Sequence, residues 1–154
     1  MTIIAEFDRK QDNVYGTFSI YELSPKGEKK FIFKDLPASS GQRAFTQTDW
    51  VAGKSPTPYG EHYLMLKQEV LQMEPKGTPF FRICTDPSFP RLLKSSSGKI
   101  RQDVGLHLEN QYPGTAGCVA LLCNDAGRKK LAYEVFDYLK TLGKTWPYIK
   151  LRVI

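Results

Sequence analysis

Val104-Gly-Leu-His-Leu-Glu-Asn-Gln-Tyr-Pro-Gly-Thr-Ala-Gly-Cys-Val-Ala-Leu-Leu-Cys123 contains two β-strand patterns of different kinds. Over Val104–Glu109 the residues alternate, so Val104, Leu106 and Leu108 share one face and Gly105, His107 and Glu109 share the other. Cys118–Cys123 is a continuous apolar run, as in a strand buried on both faces. Asn110 to Gly117 between them is loop chemistry, punctuated by Pro113, Gly114 and Gly117. This stretch predicts neighbouring strands, with a histidine on one and a cysteine at the mouth of the next.

The same β character extends upstream. Ile3–Phe7 and Val14–Leu23 are runs of β-formers joined by Gln11-Asp12-Asn13, a hairpin loop. Ser24-Pro25-Lys26-Gly27 reads as a turn. Lys30–Phe33 reads as a strand stopping at Leu36-Pro37, and Ala38–Pro58 as a long functional or mobile loop. Glu61–Val70 and Pro79–Thr85 resume strand character on either side of Pro75-Lys76-Gly77, and Ser95-Ser96-Ser97-Gly98 is flexible punctuation.

Downstream lies one helix, Asp125 to Leu142. Asn124 or Asp125 caps it, Leu131, Val135, Tyr138, Leu139 and Leu142 form its apolar stripe, and Gly143 ends it. Arg128, Lys129 and Lys130 load its first turn with charge that opposes the helix dipole. Ile149, Leu151 and Val153 then alternate with Lys150 and Arg152 in a final edge-type strand. The expectation is one domain over 1–154, mainly antiparallel β with a single packed C-terminal helix.

Composition narrows the class. The 154 residues are 41% hydrophobic and 25% charged, an ordinary globular balance with enough apolar mass to bury. No apolar run approaches the ~20 residues that span a bilayer. Glu6 and Asp8 stand where a secretory leader needs its apolar stretch, so no signal peptide is expected in the given chain. The net charge of +6 favours a polyanion, whether nucleic acid, anionic membrane or anionic wall polymer. The basic residues are dispersed, however: Lys26, Lys29 and Lys30 at one turn, Arg91, Lys94, Lys99 and Arg101 at another, and Arg128 to Lys130 on the helix. Solvated loops explain this dispersal as well, and without a basic stripe or motif no nucleic acid is expected.

There are three cysteines and two histidines, too few for a complete set of intrachain disulfides or a paired-cysteine zinc site, so neither metal nor cofactor is expected. The remaining chemistry is a thiolate nucleophile with an imidazole base. Residues directly opposite on paired strands have Cβ atoms roughly 4.5–5.5 Å apart, which brings His107 within reach of Cys118. A nearby imidazolium would pull the thiol below its usual pKa of about 8.5. Gly117 leaves the sulfur unobstructed and lets the N–H groups of Gly117 and Cys118 turn inward toward an oxyanion, and Thr115 offers a hydroxyl. A surface histidine beside a buried strand cysteine would give the same letters. His62 reads as structural or superficial, and Cys84 and Cys123 as core.

The order His107, Thr115, Gly117, Cys118 and then an apolar strand resembles the signature of L,D-transpeptidase catalytic domains. A second block, Pro56-Thr57-Pro58-Tyr59-Gly60-Glu61-His62-Tyr63, is similar to that family's T-P-x-G-x-[FY] segment. The resemblance spans Ser55 to about Asn124. The short spacing from His107 to Cys118 looks most like small phage- and secretion-associated members. The resemblance implies an antiparallel β-sandwich-like fold and an L,D-transpeptidase or L,D-carboxypeptidase activity on peptidoglycan stem peptides. In this reading Cys118 is acylated, His107 is the base, Thr115 and Gly117 line the oxyanion hole, and the Leu108 carbonyl orients the imidazole. Glu109 and Asn110 would touch substrate. It also implies synthesis in the cytoplasm and action in the periplasm or cell wall after phage lysis or delivery by a secretion machinery, with an immunity partner for a secreted effector. The competing reading is a non-catalytic cell-wall or polyanion-binding module on the same fold. The chain departs from the family pattern at Ala116, Leu108 and Val119-Ala120, where relatives usually carry His, Gly and Arg.

Overall fold

The computed structural model describes residues 2–10, 15–42, 56–71, 77–109 and 114–154, with only the backbone of Gln42 and of residues 114–117. The expected loop Gln11-Asp12-Asn13, most of Ala38–Pro58 and Asn110 lie outside the described residues.

The strands are β1 (Thr2–Asp8), β2 (Tyr15–Leu23), β3 (Lys29–Gln42), β4 (Gly60–Met65), β5 (Glu69–Val70) and β6 (Pro79–Cys84). They continue as β7 (Leu92–Lys94), β8 (Ile100–Gln102), β9 (Gly105–Glu109), β10 (Gly114–Leu122) and β11 (Tyr148–Val153), with helix α1 (Ala126–Leu142) before the last. The fold is mainly β with a single C-terminal helix among the described residues.

Nine strands form one sheet in the order β4-β11-β1-β2-β3-β10-β9-β6-β5, and β4 also pairs with β6, so the sheet closes on itself. The pairing is mixed rather than antiparallel throughout. β1 runs parallel to β11, and β9 parallel to β10. β11 is flanked by β1 and β4 and is an interior strand, which corrects the expected edge strand. Its alternation survives because one of its faces still meets solvent, with Ile149, Leu151 and Val153 buried and Tyr148, Lys150 and Arg152 outside.

One buried cluster joins Phe7, Phe18, Phe81, Leu106, Val119 and Leu151 to the helix stripe Ala132, Val135, Phe136 and Leu139. Phe81 and Phe136 stack with ring centroids 5.7 Å apart. Fully burying each such phenylalanine is worth about 1.5–3 kcal/mol. The expected stripe holds at Val135 and Leu139, with Tyr138 and Leu142 half-buried, but Leu131 is exposed and Ala132 and Phe136 join the inside face. The cap is Asp125, whose carboxylate accepts from the Arg128 amide at 2.8 Å. The Arg128 side chain also pairs with Asp125 at 3.5 Å, which offsets part of its conflict with the helix dipole. Gly143 ends the helix with ordinary right-handed backbone. A Cβ there would stand 2.6 Å from the Leu66 carbonyl oxygen, so close approach selects the glycine.

Strand β3 does not stop at Leu36-Pro37 but runs on to Gln42. Asp35 has a φ of 55° and gives its N–H to the Ser19 hydroxyl at 2.9 Å, a local kink that interrupts the ladder just before Pro37. Beyond it Ala38, Ser39 and Ser40 pair with β10, so the first part of the expected long loop is buried sheet. The expected strand Glu61–Val70 divides into β4 and β5. Ser95 to Gly98 forms the tight turn of the β7–β8 hairpin, with Gly98 at φ 84° and its N–H on the Ser95 carbonyl at 2.9 Å.

Candidate active site

The site lies where β9 and β10 run side by side. Leu106 stands opposite Val119, His107 opposite Ala120, and Glu109 opposite Leu122. Because the pair is parallel, residues 110–118 must carry the chain back along β9. At about 3.3 Å per residue, the return from Glu109 to Gly105 covers roughly 13 Å. The residue that arrives beside Gly105 is Cys118, and the Gly105 amide donates to its Sγ at 3.4 Å. His107 and Cys118 are therefore diagonal, not directly opposite as a hairpin would have placed them. His107 lies on the face away from Leu106 and Leu108, near the Phe80 ring, whereas Cys118 packs against the buried cluster that holds the two leucines.

The approach to Cys118 is irregular. β10 runs from Gly114 to Val119 while β3 runs only from Gln42 to Ser40, so Thr115 to Cys118 bulge from that ladder. Thr115 and Gly117 fall within this bulge, and the side chain of Thr115 is outside the described set. Glu109 is half-buried, and its carbonyl accepts the Cys123 amide at 3.1 Å.

Gly105 is the residue that lets the ladder carry a sulfur. A Cβ on it would meet the Phe80 ring at 2.4 Å and the Phe81 carbonyl at 2.6 Å. The same Phe80 ring stacks near His107, with centroids 6.4 Å apart and planes 29° from parallel. His107 is buried, and its Nδ1 lies 2.8 Å from the carbonyl of Leu108. A carbonyl can only accept, so Nδ1 carries the hydrogen and Nε2 is the nitrogen able to take a proton.

Burial pushes the His107 pKa down, partly opposed by the Leu108 carbonyl and by Glu109. Burial also pushes the Cys118 thiol up, against the Gly105 N–H and the Arg101 charge, with Asp103 adding to the rise. The expectation of an acidified thiol is corrected here. Desolvation outweighs the nearby donors, and the resting pair is a neutral thiol and a neutral imidazole. Burial likewise pushes Cys84 up to about 11 and raises Cys123. Cys84 and Cys123 are buried, whereas Cys118 is only half-buried.

A polar frame holds the turn that leads into Gly105. Asp103 sits at φ 58° between β8 and β9. Arg91 grips both its oxygens at 3.1 Å, and Arg82 donates to Oδ1 while also forking onto Glu69. Arg91 and Arg82 together hold the Asp103 carboxyl at about 2. Arg101, on β8, is half-buried, and its charge opposes the rise at Cys118. Sequence reasoning missed Phe80, Gly105 and Asp103 and took Arg101 for part of a solvated basic turn. Three-residue strands such as β7 and β8 carry too little periodicity to be read.

The second sequence block joins the site through β3. Ser40, opposite Val119, donates its hydroxyl to Thr57 Oγ1 at 3.2 Å and accepts the Thr57 amide at 2.8 Å. Arg9, buried, reaches the Thr57 carbonyl at 3.5 Å and lies over the Tyr59 ring at 3.9 Å. His62 is buried, not superficial, and its Nε2 donates to the Pro58 carbonyl at 2.7 Å. That bond fixes the turn ahead of β4.

A separate groove of about 410 Å³ is lined by Thr2, Ile3, Tyr63, Trp146, Tyr148, Ile149 and Lys150. Neither a cysteine nor a histidine lines it. Among the described residues no three His, Cys, Asp or Glu side chains gather to hold a metal ion, and no helix is long and apolar enough to cross a membrane. No protein-family model, curated protein or solved structure matches the chain.

Proposed function

We propose that this chain is a cysteine acyl-transfer enzyme of the L,D-transpeptidase or L,D-carboxypeptidase type, acting on peptidoglycan stem peptides in the periplasm or cell wall. One observation carries the reading. A half-buried thiol with a backbone N–H on its sulfur lies on the strand next to that of a histidine whose Nδ1 is committed to a carbonyl, which leaves Nε2 as a base. The likeness of the two sequence blocks to that family supplies the substrate class and the sandwich type of fold.

The neutral resting pair sets the order of events. As Cys118 Sγ attacks the carbonyl carbon, its proton passes to His107 Nε2. The imidazolium returns that proton to the departing amine, leaving a thioester on Cys118. Water or an acceptor amine then attacks the thioester, again losing its proton to His107, and the thiol is restored. The family positions changed here, Ala116 and Val119-Ala120, flank the acceptor side, so hydrolysis is favoured over cross-linking. Purified protein incubated under reducing conditions with tetrapeptide and pentapeptide muropeptides should release the terminal D-residue, read by mass. Unchanged muropeptides with wild type would replace this reading with that of a wall-binding module, for which the exposed Trp146 beside Tyr63 and Tyr148 offers a sugar-stacking surface.

A further inference from the structure

We propose that the groove beside Trp146 is a glycan-binding site, separate from Cys118, that takes an uncharged chain of N-acetylated sugars. The lining of the groove carries the sugar class, and the choice of N-acetylated sugars rests on the peptidoglycan reading. Tyr148, Ile149 and Lys150 of the groove lie on β11, whereas Cys118 is on β10. Round the closed sheet, β1, β2 and β3 separate those strands one way and β4, β6 and β9 the other. The groove is therefore opposite the thiol, and what it holds is a polymer gripped away from the reacting bond.

The aromatic part is held in place by the sheet. Tyr63 stands opposite Lys150 in the β4–β11 ladder. Its ring meets that of Tyr148 edge to face, with centroids 5.2 Å apart and planes 82° from parallel. Two perpendicular rings make a corner, one giving a face to stack on and the other an edge to lie against. Trp146 is 55% exposed, yet its backbone is pinned. Its N–H donates to the Leu142 carbonyl at 2.9 Å, and the Pro147 carbonyl accepts the Leu66 amide at 3.0 Å. A fixed segment presents the indole at small ordering cost when a ligand covers it.

The lining selects the occupant. Thr2, Tyr63, Trp146, Tyr148 and Lys150 bring hydroxyls, an indole N–H and an ammonium in among the ring faces and the two isoleucines. A wholly apolar partner, such as a helix face or an acyl chain, would bury those polar groups unpaired. A polyanion needs a run of free cations. On this outer face, however, Arg152 is paired with Glu61 at 3.4 Å and Lys29 with Glu6 at 3.7 Å. A sugar meets both conditions without net charge: its C–H face lies on the rings, and its hydroxyl and acetamide edge pairs with the polar tips. The volume of about 410 Å³ is within the roughly 300–1,000 Å³ of small-ligand sites.

The test is a calorimetric titration of the full chain with N-acetylchitopentaose, a chain of N-acetylglucosamine that carries no peptide for Cys118 to cleave. Wild type should give saturable binding that raised salt leaves nearly unchanged, whereas salt would strip a polyanion from the face. Trp146→Ala and Tyr148→Ala should each weaken it about three- to tenfold, the scale of one stacked ring, with Trp146→Phe between wild type and Trp146→Ala. Absence of saturable binding by wild type at millimolar oligosaccharide overturns the proposal without recourse to any variant. Binding that survives in Trp146→Ala with Tyr148→Ala combined also overturns it, by placing the sugar elsewhere. Tighter, salt-sensitive binding of single-stranded oligothymidylate would overturn it in favour of a nucleic acid. Muropeptide turnover without oligosaccharide binding sinks the groove proposal alone, and Trp146-dependent binding without turnover sinks the enzyme reading alone.

Discussion

The two histidines sit in two regions built for opposite ends. Around His62, Nε2 is committed to the Pro58 carbonyl, the turn is clamped by Ser40 and Arg9, and Nδ1 is buried. Around His107, Nδ1 is the committed nitrogen, and the neighbouring strand carries a half-buried thiol. Both rings are buried, and burial pushes both pKa values down, so neither burial nor titration tells them apart. The difference lies in which nitrogen is pinned. Pinning Nε2 turns the imidazole into a strut, whereas pinning Nδ1 leaves the distal nitrogen for proton transfer.

The largest test of this contrast is Cys118→Ala. It should abolish release of the D-residue while leaving the thermal midpoint within a few degrees of wild type, since a small strand residue replaces another. Residual turnover above background would move the nucleophile elsewhere. Next comes the histidine pair itself. His107→Ala should slow turnover by about 10²–10⁴-fold, the usual contribution of a general base. His62→Ala should instead lower the thermal midpoint, through an unpartnered Pro58 carbonyl worth about 1–3 kcal/mol, with turnover per folded molecule unchanged. Equal loss of rate in both variants would erase the distinction.

Much of this contrast was legible in the letters, and the rest was hidden for physical reasons. The alternation around His107 separated it from the leucines, and Gly105 and His107 do both face the Phe80 ring, although the strand is buried on both faces. The Asp125 cap and the Gly143 stop were legible because they are local chemistry. The parallel relation of β9 and β10 was not. Two strands separated by a short polar segment look like a hairpin, and only tertiary structure shows the chain doubling back so that Cys118 meets Gly105 rather than His107. The resting protonation state was also hidden. A sequence shows that a histidine and a thiol are present, but not how far water has been removed from them.

Gly105→Ala probes the geometry between those two large effects and the smaller one that follows. Its Cβ would press on the Phe80 ring and the Phe81 carbonyl, and overpacking of this kind costs about 1–3 kcal/mol. It should also shift the N–H that faces the sulfur. Turnover should therefore fall by more than the loss of folded protein accounts for. Phe80→Leu should recover part of the stability of Gly105→Ala, because it removes the ring the new methyl meets. A variant that loses stability but keeps full rate per folded molecule would show that the Gly105 amide has no part in placing the thiol.

The smallest effect is on acid stability, where the two histidines should behave alike. Each has a folded pKa below its ordinary value, so the unfolded chain binds protons first as pH falls. The stability each contributes is complete above about pH 6.5, the unfolded histidine value, and is lost as pH falls from there toward the folded value. One titrating group changes unfolding free energy by at most about 1.4 kcal/mol per pH unit, so His62→Gln and His107→Gln should each flatten the slope below pH 6.5 by no more than that. Asp103 acts in a different window. With its carboxyl held at about 2, its contribution is present above the ordinary carboxylate value and disappears only as pH falls toward 2, and its exposure to solvent keeps that contribution small. Urea titrations at half-unit steps from pH 7.5 to 4.5 isolate the histidine window. If both Gln variants keep the wild-type slope there, the buried rings are not what acid attacks, and the shared burial of the two regions would lose its thermodynamic meaning.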